Sequence, residues 1–326
     1  MFEAFSGEKV LYIATKKMDY LRIVQETENI GKYAKRIDVI GSYSNIYFMR
    51  LLYVYFKIIF RKMKIYDSVF IGFAPQLIVP FFKWKFKRKK LGIDFFISVY
   101  DTMVFDRKKF GENSVFAKIC YWLDSNTIKS AERIVADTKA HAKYFSETFD
   151  VELRKIDVLY LEADKTIYYP QVIEKPIELA DKYIVFYFGS ILPLQGVNVI
   201  INAAIEIKEK EKIHFIIVGP IKEKEKKQAK NITYISWLEQ MELARYIAFS
   251  DLCLAGHFSG GIEKAKRTIA GKTYIYEVMN KVMVLGENEA NRELFLEDER
   301  HCFVEMNNVE ELVNKIEKHF IGGNYD

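Results

Sequence analysis

The sequence predicts an α/β fold, with two doubly wound parallel-sheet domains facing each other across a cleft. Three observations carry that prediction. The chain has 326 residues, half of them hydrophobic, a length that suits two ordinary domains better than one. Short apolar strands alternate with helical segments along its whole length, the pattern of buried parallel sheets. The alternation also restarts near residue 183, after a stretch, 163–182, that holds Pro170 and Pro176. The expected division is 1–165 for the first domain, 166–308 for the second, and 309–326 for a closing helix and tail.

In the first half, KVLYIA (9–14) reads as the opening strand and residues 36–40 as a second. Residues 47–63 read as a helix and SVFIGF (68–73) as a buried strand. A helix is expected over 75–90, starting on the Pro75 turn and weakened by Pro80, because proline removes a donor and crowds the preceding turn. IDFFISVYD (93–101) is another buried strand, followed by a helix over 115–129, RIVAD (133–137), a helix over 139–148 and IDVLYL (156–161).

The second half opens with YIVFYFGS (183–190), a strand ending in glycine, and a helix over VNVIINAAIEIKEK. KIHFIIVGP (212–220) follows, then the charged run IKEKEKKQAK as a solvated excursion. NITYIS, a helix over 240–249 and DLCLAG (251–256) continue the alternation. KVMVLGE (281–287), a helix over 291–296 and a last helix over 309–320 close it.

Composition excludes several classes. Five histidines and three scattered cysteines, Cys120, Cys253 and Cys302, supply neither a structural zinc site nor a disulfide framework, which fits a reducing compartment. No His/Asp cluster has metal-ligand spacing, so no metal or other cofactor is expected. The start, MFEAFSGEKV, lacks the basic-then-apolar pattern of a signal peptide, and the longest apolar run, 51–60, is short of the roughly 20 residues a spanning helix needs. A cytoplasmic protein, peripheral on the inner face of a membrane, is the expectation.

The net charge of +5 is unevenly spread: residues 1–165 hold 29 basic against 20 acidic residues, and 166–326 hold 20 against 24. From Val39 to Ile93 the one acid is Asp67, against eleven Lys and Arg. Arg50, Lys57, Arg61 and Lys64 fall on one helical stripe, and Lys83, Lys87 and Lys90 on a second, interleaved with Phe56, Phe60, Phe81 and Trp84. Aromatics with lysines on a helix face suit an anionic lipid surface; the alternative is apolar packing on the sheet with solvated lysines. No recognised motif points to nucleic acid.

In parallel sheets, ligands sit at the carboxyl ends of strands, where helix N-termini present unpaired amides to anions. Gly189 ends a strand there, and a loop through Gly196 leads into a helix, so backbone can approach a phosphate. GGIEKAKRTIAGKTYIYE (260–277) is the second such place. Its Lys264, Arg267 and Lys272 suit a diphosphate, and Glu277, further along the helix, suits the vicinal hydroxyls of a ribose. Taken singly, each is as well explained by a solvated face.

Together these stretches resemble the donor domain of glycosyltransferase family 4 enzymes with the GT-B fold. FYFGSILPLQGVNVIINAA, HFIIVGP and KAKRTIAGKTYIYEVMNKVMVLGENEANREL carry the resemblance. SVYDTMVFDRK, ADTKAHAKYF and IDVLYLEADKTIYYP are similar to acceptor-domain motifs of the same branch. The resemblance implies metal-independent, retaining sugar transfer from a nucleotide diphosphate sugar, with Lys264, Arg267 and Lys272 on the diphosphate, Gly189 under the loop, and Glu277 on the ribose. It also implies a saccharide acceptor, and the basic surface suits a lipid-linked one in cell-surface glycan synthesis. Three positions depart from the pattern: Ile269 stands where a first glutamate is usual, and Ser190 and Gln195 where many members carry basic residues. They keep open a second expectation, a GT-B-shaped binding or scaffold subunit of a partner transferase.

On the acceptor side the candidates are Asp101, Asp106 and Arg107, just past the 93–101 strand. Asp101 either orients an acceptor hydroxyl or caps the following turn. His141 either faces the cleft or lies on a helix surface.

Overall fold

A computed structural model gives the structure of the protein and describes residues 1–323; the last three residues of the expected 309–326 segment lie outside the described residues. The chain divides into two compact units, Met1–Glu162 and Ala163–Asp326.

The first unit is built on a six-stranded sheet of β1 (Lys9–Lys17), β2 (Arg36–Ser42), β3 (Ser68–Gly72), β4 (Lys90–Asp94), β5 (Arg133–Ala136) and β6 (Ile156–Val158). Their order is β2-β1-β3-β4-β5-β6, and every pair is parallel. Its helices are α1 (Leu21–Gly31), α2 (Tyr47–Phe60), α3 (Val79–Phe86), α4 (Val115–Ser130) and α5 (Lys139–Phe149). Alternation along β1 sends Leu11 and Ile13 toward α2–α5, and Val10, Tyr12 and Ala14 toward α1 and the N-terminal Phe2 and Phe5.

The second unit has β7 (Tyr183–Phe188), β8 (Ile213–Val218), β9 (Ile232–Ile235), β10 (Leu252–Gly256), β11 (Met283–Gly286) and β12 (His301–Val304). Their order is β12-β11-β10-β7-β8-β9, again all parallel. Helices α6 (Val197–Glu206), α7 (Gln240–Phe249), α8 (Glu263–Arg267), α9 (Gly271–Val278), α10 (Glu289–Arg292) and α11 (Val309–Gly322) complete it. The strand order reverses between β7 and β10, so their carboxyl ends mark the switch point where ligands of such sheets bind.

Three departures from the sequence expectations have local causes. The 75–90 helix is broken. Ala74 adopts φ 51°, a 3-10 turn covers Pro75–Leu77, and α3 starts with Pro80 in its first turn. It ends at Phe86, which makes Lys90 the first residue of β4, paired with Glu8 at 3.2 Å. The 93–101 strand stops at Asp94, because the amides of Val99 and Tyr100 bond the side chain of Asp124 at 3.1 and 2.7 Å instead of a neighbouring strand. Helix α1 has no counterpart among the expectations. It buries Arg22, Gln25 and Glu26 along with Ile23 and Ile30, and so lacks a clean apolar stripe.

Those polar residues form a buried cluster. Arg22 meets Asp94 through Nη2–Oδ1 at 2.8 Å and Nε–Oδ2 at 3.2 Å, with Glu26 3.5 Å away. The Tyr12 hydroxyl donates to Glu26 at 2.5 Å. Burial, then the nearby Asp94, pushes the Glu26 carboxyl well above its ordinary range. Removing one partner of a buried pair strands the other charge, so Arg22→Met is expected to cost about 3–5 kcal/mol in urea unfolding.

Candidate functional site

The switch point of the second unit gathers side chains from four segments. Gly189, directly after β7, has φ +153°, and a Cβ there would lie 3.2 Å from Cε of Lys272. Gly196 caps α6 at φ +65°, and its Cβ would meet the backbone carbonyl carbon of Phe258 at 2.6 Å. Gly196→Ala is therefore expected to destabilise by more than about 1 kcal/mol, read as a lowered denaturation midpoint.

Lys272 is the most informative residue. It sits in the first turn of α9 and is buried, with Nζ donating to Oε1 of Gln195 and lying 4.7 Å from the ring centre of Tyr187. The Tyr187 hydroxyl donates to the same Gln195 oxygen at 3.3 Å. Among the described residues no carboxylate pairs with Lys272. Burial alone lowers its pKa to about 7. A desolvated ammonium held by an amide oxygen and a π-face, beside the glycine ends of two strands, is a seat for an anion. His257, just past β10, is buried with Nδ1 3.4 Å from the Ala265 carbonyl; burial first, then Lys272 and Lys264, push its pKa down to about 3. It stays neutral and leaves the cationic field to the lysines.

Lys264 and Arg267 lie on α8, which packs on the turn Pro193–Gln195 beside Gly196. Gly189, Gly196, Lys264, Arg267 and Lys272 thus belong to segments that meet at one end of the sheet. Glu277 does not join them. It lies near the end of α9, and its carboxylate is taken by Arg300 at 3.1 Å and by His301 at 2.7 Å, where β12 begins. That is the amino end of the sheet, so the expected ribose contact is corrected: Glu277 is a strut between α9 and β12. Ile269, where a carboxylate is usual in the resemblance, is buried.

Sequence reasoning missed the neighbouring apolar cavity of about 360 Å³, lined by Phe188, Gly189, Val218, Gly219, Trp237 and Leu243. Gly219 has φ +158°, and a Cβ there would lie 2.4 Å from the Gly189 carbonyl, so the β7 and β8 loops close on each other at its wall. The available signal was Trp237, a large aromatic directly after a strand, which is 72 % exposed.

In the first unit, Asp101 and Asp106 bracket a π-helical turn, Asp101–Asp106, and both are buried, whereas Arg107 is exposed. The organising group is one the sequence reading passed over, Asp124, which burial raises to about 6 against four hydrogen bonds that lower it. His141 is buried, neither in an opening nor on a surface, with Nδ1 2.7 Å from Asp137 and its ring 4.0 Å from that of Phe145.

The basic band also divides. Arg50 is buried and donates to the carbonyls of Ser44 and Thr15. Arg61 pairs with Asp38 at 2.6 Å and with Tyr66, and Lys90 is held by Glu8. Arg50 is thus corrected to an internal tie, and Arg61 and Lys90, part-exposed, are held by acids of the same unit, while Lys57, Lys64, Lys83 and Lys87 are exposed. Only Val54 and Ile58 carry the apolar packing of α2 deep into the core; Phe48, Leu52, Phe56 and Phe60 are exposed. Phe81 and Trp84 of α3, and Phe116, Ile119 and Trp122 of α4, are exposed too. Helices α2, α3 and α4 contribute to the same core, and α3 packs on α4, so the exposed aromatics belong to neighbouring helices on one face of the sheet.

Among the described residues no helix is long and apolar enough to cross a membrane, and no group of three or more His, Cys, Asp or Glu is placed to hold a metal ion. Residues 182–320 match the family model of glycosyl transferases group 1. No curated protein matches the chain at the sequence level. Among solved structures, HepE from Anabaena in complex with UDP and glucose is similar at TM-score 0.64 and 13% identity, covering 98% of this chain and 91% of HepE. Sucrose-phosphate synthase from Thermosynechococcus elongatus is similar at TM-score 0.67 and 10% identity, with the same coverage of 98% and 91%. A glycosyltransferase from Rickettsia africae gives TM-score 0.60 at 14% identity, covering 98% of this chain and 89% of that one. Residues 182–320 thus resemble the glycosyl transferases group 1, and the fold of two parallel-sheet units is the one shared with these solved structures, the GT-B fold.

Proposed function

We propose that the protein is a retaining glycosyltransferase that moves a sugar from a nucleotide diphosphate sugar to a saccharide acceptor. The observation that carries this reading is Lys272, a buried cation with no anionic partner among the described residues, at the switch point of the family-matched unit. In the reaction the bond from the anomeric carbon to the diphosphate oxygen breaks, and a bond to the acceptor oxygen forms on the same face. The acceptor proton leaves with the diphosphate. Lys272, with Lys264 and Arg267 from α8, neutralises the charge that builds on the leaving oxygens, which makes side chains rather than a metal ion the electrophilic partner. The cavity beside Trp237 takes the nucleobase, whose flat face suits an aromatic wall. Acceptor contacts fall to the loop after β4, next to Arg107.

The same reading places the protein at the cytoplasmic face of a membrane, working on a lipid-linked saccharide in cell-surface glycan synthesis. Exposed aromatics beside Lys57, Lys64, Lys83 and Lys87 support docking on anionic lipid. A second reading, a scaffold subunit for a partner transferase, is favoured by the apolar Ile269.

Melting of the purified protein with a panel of nucleoside diphosphates and nucleotide sugars separates the two. A ligand at 100 times its dissociation constant stabilises by about 2.7 kcal/mol. A rise with one nucleotide that Lys272→Ala removes and Glu277→Ala retains supports the transferase. No rise with any of them transfers the weight to the scaffold.

A further inference from the structure

We propose that Asp124 is the positioning residue for acceptor binding, holding residues 98–101 in the shape that receives an acceptor hydroxyl; the proposal rests on the transferase reading above. Asp124 is fully buried on the inner side of α4, and four donors converge on it. The Ser98 hydroxyl and the Tyr100 amide donate to Oδ2, each at 2.7 Å. The Val99 amide and Nε2 of Gln76 donate to Oδ1 at 3.1 and 2.9 Å. Ser98 Oγ in turn accepts the Asp101 amide at 2.9 Å, and Nε2 of Gln76 also donates to the Ile97 carbonyl at 2.7 Å. One carboxylate therefore fixes the backbone from Ile97 to Asp101.

Packing alone does not call for this arrangement. No cation pairs with Asp124 among the described residues, and a buried carboxylate without a counter-ion is costly unless its oxygens are fully hydrogen-bonded. An apolar side chain at the same point of α4 would fill the space without that cost. What it would lose is the departure of the chain from β4: with two amides turned to Asp124, the loop leaves the sheet at its carboxyl end, where ligands of parallel sheets bind. Tyr100 is left half-buried at the crest, its ring edge-on to Phe105 and Tyr121, 5.4 Å from each.

The test compares Asp124→Ala, Asp124→Asn and the milder Ser98→Ala with the unaltered protein. Donor binding is read as the melting shift with UDP. Transfer is followed from the nucleotide sugar that the melting panel selects to n-octyl β-D-glucoside as acceptor probe. Asp124→Ala is expected to keep the UDP shift and to lose acceptor kcat/KM by about 100-fold, the scale of a misplaced reacting group. Formate, which fits between the freed amides and the Ser98 hydroxyl, should restore part of it. Ser98→Ala should lose about tenfold, the effect of one hydrogen bond. If Asp124→Ala does not fold, the Asn and Ser98 variants decide. Unchanged acceptor kcat/KM in folded variants overturns the proposal alone, as does a loss matched by an equal loss of donor hydrolysis in water. An unaltered protein that transfers from no nucleotide sugar overturns both the proposal and the reading beneath it.

Discussion

Lys272→Ala is expected to weaken nucleotide-sugar binding by about 100-fold or more, some 3 kcal/mol, and to slow transfer by roughly 10²–10³, as losing one preorganised electrostatic donor does. The effect is large because the ammonium is already stripped of water. Its neighbours are the Gln195 oxygen and the Tyr187 ring, and neither is a charge. Burial brings its pKa from 10.5 to about 7, so above pH 7 the free protein holds much of it neutral. A diphosphate restores the charge, and binding then takes up a proton. Affinity for a nucleotide sugar, whose diphosphate does not titrate in this range, should fall as pH rises from 6 to 9, by up to about tenfold per unit once Lys272 is neutral. Stability of the free protein runs the other way. A depressed folded pKa contributes stability that is complete above the unfolded value of 10.5 and lost as pH falls through about 7. Melting followed across this window, with and without ligand, should show the two curves converging as pH rises. Lys272→Ala should flatten both.

Charge reversal of Lys57, Lys64, Lys83 and Lys87 to Glu is expected to abolish binding to vesicles of phosphatidylglycerol and phosphatidylethanolamine. Each basic residue near an anionic surface contributes about 1 kcal/mol, so losing four weakens binding by roughly 10³-fold even before repulsion is counted. The aromatic part is separable. Phe60 and Trp84 are 71 % and 68 % exposed, and burying such a side chain in the interface gains about 1.5–3 kcal/mol. Trp84→Ser and Phe60→Ser should therefore weaken binding to anionic vesicles while leaving its salt dependence intact, and the lysine variants should remove that dependence. Trp122→Ser on α4 should act like the other aromatic changes if the surface extends across all three helices. Co-sedimentation at two salt concentrations measures all of these. Binding that ignores lipid charge would contradict the membrane reading, as would a face buried instead between two copies in sedimentation equilibrium.

The central strands were legible because β1, β3, β7, β8 and β10 are short apolar runs, and burial on both sheet faces demands that composition. α1 was not, because its inward side is built around the Arg22–Asp94–Glu26 cluster, which reads as polar in a periodicity count. The end of β4 was misplaced for a similar reason. The run IDFFISVY looks like one strand, and only Asp124, some 25 residues on in sequence, takes the amides that would have continued it. Single-residue roles divided by what each side chain reaches. Arg50 and Lys57 share a helical stripe in sequence, but Arg50 turns inward to the carbonyls of Ser44 and Thr15. Glu277 and Lys272 occupy one short helix, and the axial distance between them puts one at each end of the sheet. Trp237 and Asp124 left no motif: an isolated aromatic after a strand gains meaning only from the cavity it lines, and an isolated helix carboxylate only from the fold that buries it.

The most direct test of the central claim, that Lys272 and its neighbours hold the diphosphate of a sugar nucleotide, is isothermal titration of the unaltered protein with the melting panel's nucleotide sugars. Each titration is run at pH 6 and pH 8 in two buffers of different ionisation enthalpy. The account predicts saturable heat with at least one of them, and net proton uptake at pH 8 that is small at pH 6 and absent in Lys272→Ala. No heat with any nucleotide sugar, or binding unchanged in Lys272→Ala, would contradict it.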